Sequence, residues 1–270
     1  MAGQTRNDDF KVILSTAHAC ADLSGPVILK AFRKRRAVEN KAGSAGYDPV
    51  TAADRAAERV IAKTLKARFP AHGIVGEEYG VRGGAGPYRW IIDPIDGTRA
   101  FIMGSPMWGT LIGVLKDGAP YLGVMDQPFT GERFWSEAAA SFLRIRSGPA
   151  QRIKTRPCAT LKDAILTSTH PDIFETLAAK KTLAALKSQV RMTRYGGDCY
   201  GYGLLASGHI DLIVESGLKP YDIVALIPII ERAGGRISTW DGGTASNGGD
   251  IVAAGDPRLH EAAVKAISKS

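Results

Sequence analysis

Cysteine is scarce. Cys20, Cys158 and Cys199 are the only three in 270 residues, far apart, odd in number and in no CxxC pair, which excludes a disulfide framework and a thiolate zinc site. A reducing compartment fits best, so a cytoplasmic location is expected. Histidine is nearly as sparse. His18, His72, His170, His209 and His260 show no paired ligand spacing, which argues against a histidine metal centre; they are expected on the surface or in loops, outside any mechanism. No apolar run approaches a membrane-spanning length, and the opening MAGQTRNDDF lacks the apolar core of a signal peptide, so neither a membrane nor export is expected. There is no internal repeat and no long low-complexity tract, which leaves an ordinary globular chain.

The hydrophobic content of 44% over 270 residues is enough for a sizeable core in one large domain or two intimately packed halves. The formal net charge of +8 suits an anionic ligand or a nucleic acid but is spread along the chain. Its densest run, Arg33 to Arg36, ends a helical pattern and reads as a solvated helix terminus, so no nucleic-acid partner is expected.

Apolar residues recur near helical spacing from Asp8 to Arg35, with Gly25-Pro26 as a point of kinking or division, and again from Thr51 to Phe69. Between them the loop AGSAGYDPV reads as mobile from its Gly and Ser content. Short apolar runs at Trp108 to Leu115, Tyr121 to Asp126, Arg133 to Glu137 and Phe142 to Ile145, broken by Gly, Pro and Asp, read as successive antiparallel strands. The low-apolar stretch Arg146 to Pro157 suggests a boundary, giving a 1–150 half and a 151–270 half. Beyond it strand and helix alternate: Ala164 to Ser168, Ile173 to Leu186, Val190 to Arg194, Gly197 to Ser207, Asp211 to Glu215, Tyr221 to Ala233, Arg236 to Thr239 and Ile251 to Ala254. That rhythm implies an α/β half with some parallel pairing.

The stretch Trp90 to Thr98, WIIDPIDGT, does not fit a purely structural reading. An apolar strand runs straight into Asp93 and Asp96, two like charges whose close approach would force one to take up a proton. A hard divalent cation removes that cost, since it takes oxygen ligands from a few carboxylates and phosphate oxygens. Pro94 fixes the backbone between the acids, and Gly97 and Thr98 begin a short helix through Ala100 and Phe101, whose free N–H groups suit a phosphate. A strand followed by a solvated Asp-Gly turn is the plainer alternative. HGIVGEE, His72 to Glu78, reads as another short strand ending in acids.

WIIDPIDGT, with Gly76-Glu77-Glu78 upstream and Tyr221-Asp222 far downstream, resembles the inositol monophosphatase superfamily of Mg²⁺-dependent phosphatases. The resemblance implies a layered αβαβα sugar-phosphatase fold, α+β and α/β in character, with an antiparallel N-terminal sheet and a smaller mixed C-terminal one. It implies two or three Mg²⁺ ions held by Glu77, Asp93, Asp96, Asp222 and the carbonyl of Ile95, with Glu78 left solvated. Thr98 would position the attacking water, and Asp54, which with Thr51 also forms a capping box, would help bind a further metal or orient that water. Ile95, Asp96, Gly97, Thr98 and Asp222 would meet the phosphate, the loop 42–50 would close over the site, and a homodimer is expected. Asp222 is equally a natural helix cap. Tyr221 stands where the family usually has Trp, and Val224 where it has a small residue.

The rest of the substrate would meet Arg194, Gly196, Gly197, Asp198 and Glu215. Asp198 brings a negative charge to a turn where inositol phosphatases carry small neutral residues, unless it only caps the following helix. Two acids there suggest a substrate whose far end is cationic. RYGGDCYGYGLLASG and GLKPYD resemble the histidinol-phosphatase branch, which implies hydrolysis of L-histidinol phosphate in histidine biosynthesis. Inositol monophosphate or another sugar phosphate is the nearest alternative, and a catalytically idle ligand-binding or RNA-associated protein the more distant one.

Overall fold

The computed structural model describes residues 2–34, 38–40 and 49–270. Most of the loop at 42–50, and Arg35 and Arg36 of the basic run, lie outside the described residues. Helix α1 (Ala2–Leu29) runs through Pro26 without dividing. The strands β1 (Val38–Asn40) and β2 (Pro49–Thr51) pair antiparallel and lead into α2 (Ala52–Arg68). Thr51 caps that helix: its hydroxyl accepts from Ala53 N at 3.1 Å, and Asp54 accepts from Thr51 N at 2.9 Å, satisfying donors a helix start leaves open.

The strands β3 (Gly73–Gly76), β4 (Gly80–Arg82) and β5 (Tyr88–Asp96) come next, then the one-turn helix α3 (Thr98–Ile102). After it, β6 (Gly109–Lys116), β7 (Ala119–Gln127), β8 (Glu132–Ser136), β9 (Ser141–Ile145) and β10 (Gln151–Ile153) complete an eight-stranded sheet of order β10-β9-β8-β7-β6-β5-β3-β4. It is antiparallel except between β3 and β5, which run parallel. That exception brings the ends of β3 and β5 to one edge of the sheet, with Glu77 after one and Asp93 in the other.

The remaining elements are β11 (Ile165–Ser168), α4 (Leu177–Lys187), β12 (Met192–Tyr195), α5 (Asp198–Ala206), β13 (Leu212–Leu218), α6 (Pro220–Ile223), α7 (Leu226–Ala233), β14 (Arg236–Thr239), β15 (Gly249–Ala254) and α8 (Pro257–Ile267). Their sheet has the order β12-β11-β13-β15-β14. It is parallel across β12, β11 and β13 and antiparallel beyond.

Alternation along the strands sorts side chains into separate cores. Ile112, Val114, Leu122 and Val124 face α1 and α2, meeting Phe10, Ile13, Ile61 and Leu65. Leu111, Met125 and Phe134 face the other way, onto Leu205 of α5, Ile229 and Ile230 of α7, and Ile213, Ile251 and Ala253 of the small sheet. The far face of that sheet, with Leu166, Leu212, Val214 and Val252, packs on Leu183 and Leu186 of α4 and Leu259 and Ala263 of α8. The layers are therefore αβαβα. The eight-stranded sheet continues to Ile153, and α5 and α7 lie between the two sheets, so the segments before and after residue 150 share one central core.

Several expectations need correction. The helix expected from Tyr221 to Ala233 is interrupted at Val224 and Ala225. Gly113 and Gly123 face each other across β6 and β7, and a Cβ on Gly123 would collide with the carbonyl of Ala225. The missing side chains make a notch in which the α6–α7 junction rests. β4, β10 and α8 lie in segments where no element was expected. His260 is not a surface residue: it is 3% exposed on α8, with Nε2 2.8 Å from Ser238 Oγ. Among the described residues Asp9–Leu29 is long and apolar enough to cross a membrane by length and composition, against expectation; in this fold its apolar face is that of a core helix.

Because the notch holds backbone against backbone, no rotamer change relieves an added methyl group. Gly123→Ala is expected to destabilise the protein by at least about 2 kcal/mol. Urea unfolding checks this, and a loss below about 0.5 kcal/mol, the range of an indifferent surface change, contradicts it.

Candidate active site

The ladder between β5 and β6 is regular to Asp93 and breaks before Asp96. Pro94 has no N–H to offer, and its carbonyl turns instead to Thr110 Oγ1 at 2.8 Å. Asp93, 2% exposed, folds back so that Oδ1 accepts from Ile95 N at 3.0 Å. Asp96 reaches across to the other half of the chain, where its Oδ2 accepts from Cys199 N at 2.7 Å. Asp222 is the third residue of α6 and not its N-cap, which is Lys219; from there its Oδ2 accepts from Lys219 N at 2.6 Å. Its capping role is therefore present, and compatible with a second one: Asp93, Asp96 and Asp222 each offer an oxygen within 4.8 Å of the others.

Glu77 joins them from β3. Its N–H donates to Ile92 O at 3.1 Å, and its carboxylate is close enough to Asp93 to raise that group's proton affinity. Burial, then Glu77, Asp96 and Asp222, push Asp93 well above the usual carboxylate range. Asp96 is raised by burial, Asp222 and Asp198, against the Cys199 N–H that favours its charge. Asp222 is pushed up to about 7, by burial first and then chiefly by Glu77, with the Lys219 N–H opposing.

Asp54 approaches from α2 and is fully buried. Thr51 occupies one of its oxygens, while Oδ1 has no partner; burial raises its pKa, and Glu77 adds to the effect. Carboxylate oxygens pressed together, with an unpartnered buried oxygen beside them, form the donor set of a hard divalent cation.

Gly97 has φ of 84° and Thr98 starts α3. A Cβ at Gly97 would lie 2.8 Å from Met107 O and 3.1 Å from Asp198 Cβ, so only glycine fits on both counts. Thr98 Oγ1 donates to Ile95 O at 3.1 Å, leaving the hydroxyl's lone pairs free to accept.

Asp198 is half-buried at the start of α5 in a left-handed conformation, φ 43°. It does not cap that helix through its side chain; Asp96 takes the Cys199 N–H instead. Burial lifts its pKa to about 6, opposed by Arg99. Glu215, 2% exposed on β13, accepts at Oε1 from Thr169 N at 2.8 Å and Thr169 Oγ1 at 3.2 Å, while Oε2 has no partner. Burial pushes it up to about 8, with Asp198 adding and the Thr169 donors opposing. Tyr202 is buried with its hydroxyl unpartnered, and Glu215 is the strongest charge acting on it.

Gly196, φ 90°, is exposed, and its N–H is taken by the carbonyls of Ser168 and Thr169. Gly197 is the N-cap of α5. Arg194 is exposed on the edge strand β12, and among the described residues its side chain makes no ion pair or hydrogen bond.

Residues 9–270 match the inositol monophosphatase family. The chain belongs to that family. It is thereby a phosphatase acting on phosphoric monoesters. It is 40% identical to the bifunctional phosphatase IMPL2 of Arabidopsis thaliana, over 97% of this chain and 76% of the relative. A histidinol-phosphatase of Streptomyces coelicolor is 34% identical, over 94% of this chain and 96% of the relative. Among solved structures, an inositol monophosphatase from Zymomonas mobilis is 38% identical and superposes with a TM-score of 0.81, over 96% of this chain and 98% of its own.

Glu58 and Tyr202 were not anticipated. Glu58 lies one helical turn after Asp54, buried, and accepts from Glu78 N at 2.8 Å and Tyr79 N at 3.2 Å. It fastens the turn that carries Glu77, and Gly76 is bare because a Cβ there would strike its carboxylate. The i, i+4 spacing of two acids on one helix was the available signal. Glu58→Ala leaves two N–H groups without their acceptor and is expected to cost about 1–3 kcal/mol in urea unfolding; an unchanged midpoint refutes that role.

Asp222 has a folded pKa of about 7 against an ordinary 3.8, so its contribution to stability is complete below the ordinary value and is lost as pH rises through 7. A cation relieves the repulsion where the acids are charged. The rise in melting temperature on adding Mg²⁺ to EDTA-treated protein is therefore expected to be larger near about pH 8 than near about pH 5.5. Thermal scans at both pH values check it; an equal or absent rise contradicts it.

Proposed function

We propose that the protein is a Mg²⁺-dependent phosphomonoesterase that hydrolyses L-histidinol phosphate to L-histidinol and phosphate. The observation that carries the substrate is the pair Asp198 and Glu215. An unpartnered carboxylate oxygen in a buried position is costly, and Glu215 Oε2 is one. A substrate bearing an ammonium group and an imidazole removes that cost; inositol offers only hydroxyls. The family relationship to a histidinol-phosphatase supports the reading, and the similarity to an inositol monophosphatase favours inositol monophosphate as the second one.

Glu77, Asp93, Asp96, Asp222 and the Ile95 carbonyl would hold the cations. When bound, these supply Lewis-acid polarisation of the phosphoryl oxygens and of water. The chain's own groups do the positioning. Gly97, left-handed, followed by helical Thr98 forms a concave pair of N–H groups for phosphate oxygens. Thr98 Oγ1, whose O–H donates a hydrogen bond to Ile95 O, accepts from the attacking water and aligns it for in-line displacement. Asp54 Oδ1 is a further acceptor for that water. Glu215 and Asp198 orient the leaving group by its cationic end, which draws both carboxyls toward their charged forms.

A panel of phosphomonoesters with Mg²⁺ tests the substrate: histidinol phosphate is expected to give the highest kcat/KM, ahead of inositol 1-phosphate, and the reverse order overturns the reading. Removal of a charged contact at a desolvated site costs about 1.5–3 kcal/mol, roughly 10–100-fold. Asp198→Ala is accordingly expected to cut kcat/KM for histidinol phosphate by that factor and to leave inositol 1-phosphate nearly unaffected; equal losses exclude a cation-reading role.

A further inference from the structure

A cavity of about 500 Å³ opens between the second half of α2 and the β3–β4 ribbon, a volume suited to a small organic ligand. Its rim is cationic from two walls. Arg59, Lys63 and Lys66, spaced four and three residues apart, share one face of α2, and Arg82 of β4 stands opposite them. No carboxylate lines the cavity. The helix dipole accounts for Lys66 in the last turn of α2, but not for Arg59 or Lys63 further back, nor for Arg82 across the gap. Arg59 and Arg82 both turn to Tyr79: one donates to its hydroxyl, and the other lies 4.5 Å from its ring centroid. Lys63 and Lys66 are exposed and, among the described residues, have no anionic partner.

The floor is apolar and flat. Phe69 and Ile74 line it, and Phe69 stacks on His72 with centroids 4.5 Å apart and planes 1° from parallel. Burial lowers the pKa of His72, with Asp9 opposing, and its Nδ1 accepts from Trp90 Nε1 at 3.1 Å. An indole N–H only donates, so the imidazole proton sits on Nε2. The aromatic layer therefore carries no charge and backs onto the core through Trp90.

Four converging cations over an uncharged aromatic floor favour a ligand that is anionic at one end and flat at the other. We propose that this cavity binds a small organic anion of the nucleoside monophosphate class, with the phosphate on the rim and the base over Phe69. The site is distinct from the acidic centre, whose carboxylates repel anions when no divalent cation is present.

Calorimetric titration of the full chain with AMP in EDTA tests this. Saturable one-to-one binding is expected, with adenosine and inorganic phosphate each at least about tenfold weaker. Lys63→Glu and Arg82→Glu are each expected to weaken AMP about tenfold. Lys265→Glu, which changes net charge equally on α8, and Asp93→Asn are expected to leave it unchanged. Melting temperatures accompany each variant, and Lys66→Glu replaces either rim variant that unfolds. Absence of saturable AMP binding overturns the proposal; so does a loss in Lys265→Glu equal to that in Lys63→Glu, or a loss in Asp93→Asn.

Discussion

Repulsion among Glu77, Asp93, Asp96 and Asp222 is the constraint to which the rest of the structure answers. Left to themselves these carboxylates would separate or take up protons; the fold holds them together, and the proton affinities of Asp93, Asp96 and Asp222 are raised in consequence. Each is anchored through its backbone or a hydrogen bond from an element whose own packing is apolar. Glu77 and Asp93 stand at adjacent parallel strand ends, and Asp222 stands on the helix beside the notch in β6 and β7. Stability given up at this one point is recovered in cores remote from it.

The anchoring is redundant. The turn at Glu77 is fastened to α2 through Glu58, and α2 also presents Asp54. The α6–α7 junction is seated by two glycines where any side chain would lift Asp222 away from the other acids. Asp96 is held from the opposite half of the chain by the Cys199 N–H. The Asp96–Cys199 hydrogen bond thus adds a polar tie between β5 and α5 to the apolar core that joins the two sheets.

Much of this was legible in the order of residues. A nine-residue apolar strand ending in two acids can only be β5, and alternation marked β6 to β9. The capping pair Thr51 and Asp54 placed the start of α2. Other features carry too little local signal. Edge strands of three residues, β4 and β10, are too short for a period to show. α8 had its cue in Asp256-Pro257, an N-cap followed by proline, with Leu259, Ala263 and Ile267 at helical spacing. The interruption at Val224 comes from glycines about a hundred residues away, and no local pattern encodes it. Within the site, the convergence of the acids followed from family resemblance and charge chemistry. Glu58 stayed hidden because an acid on a helix surface normally faces water.

The hydrogen bond from Cys199 to Asp96 gives one carboxylate two duties. One of its oxygens fixes where α5 begins, and that helix opens with Asp198; the whole group also belongs to the acidic centre. Under the proposed function, a single side chain would thus set both the angle at which a substrate's far end is gripped and the place where its phosphorus is held. Chemistry and selectivity would then be mechanically yoked, and a lineage drifting toward a new substrate would have to remodel Asp198 or Glu215 while keeping residue 96 as it is.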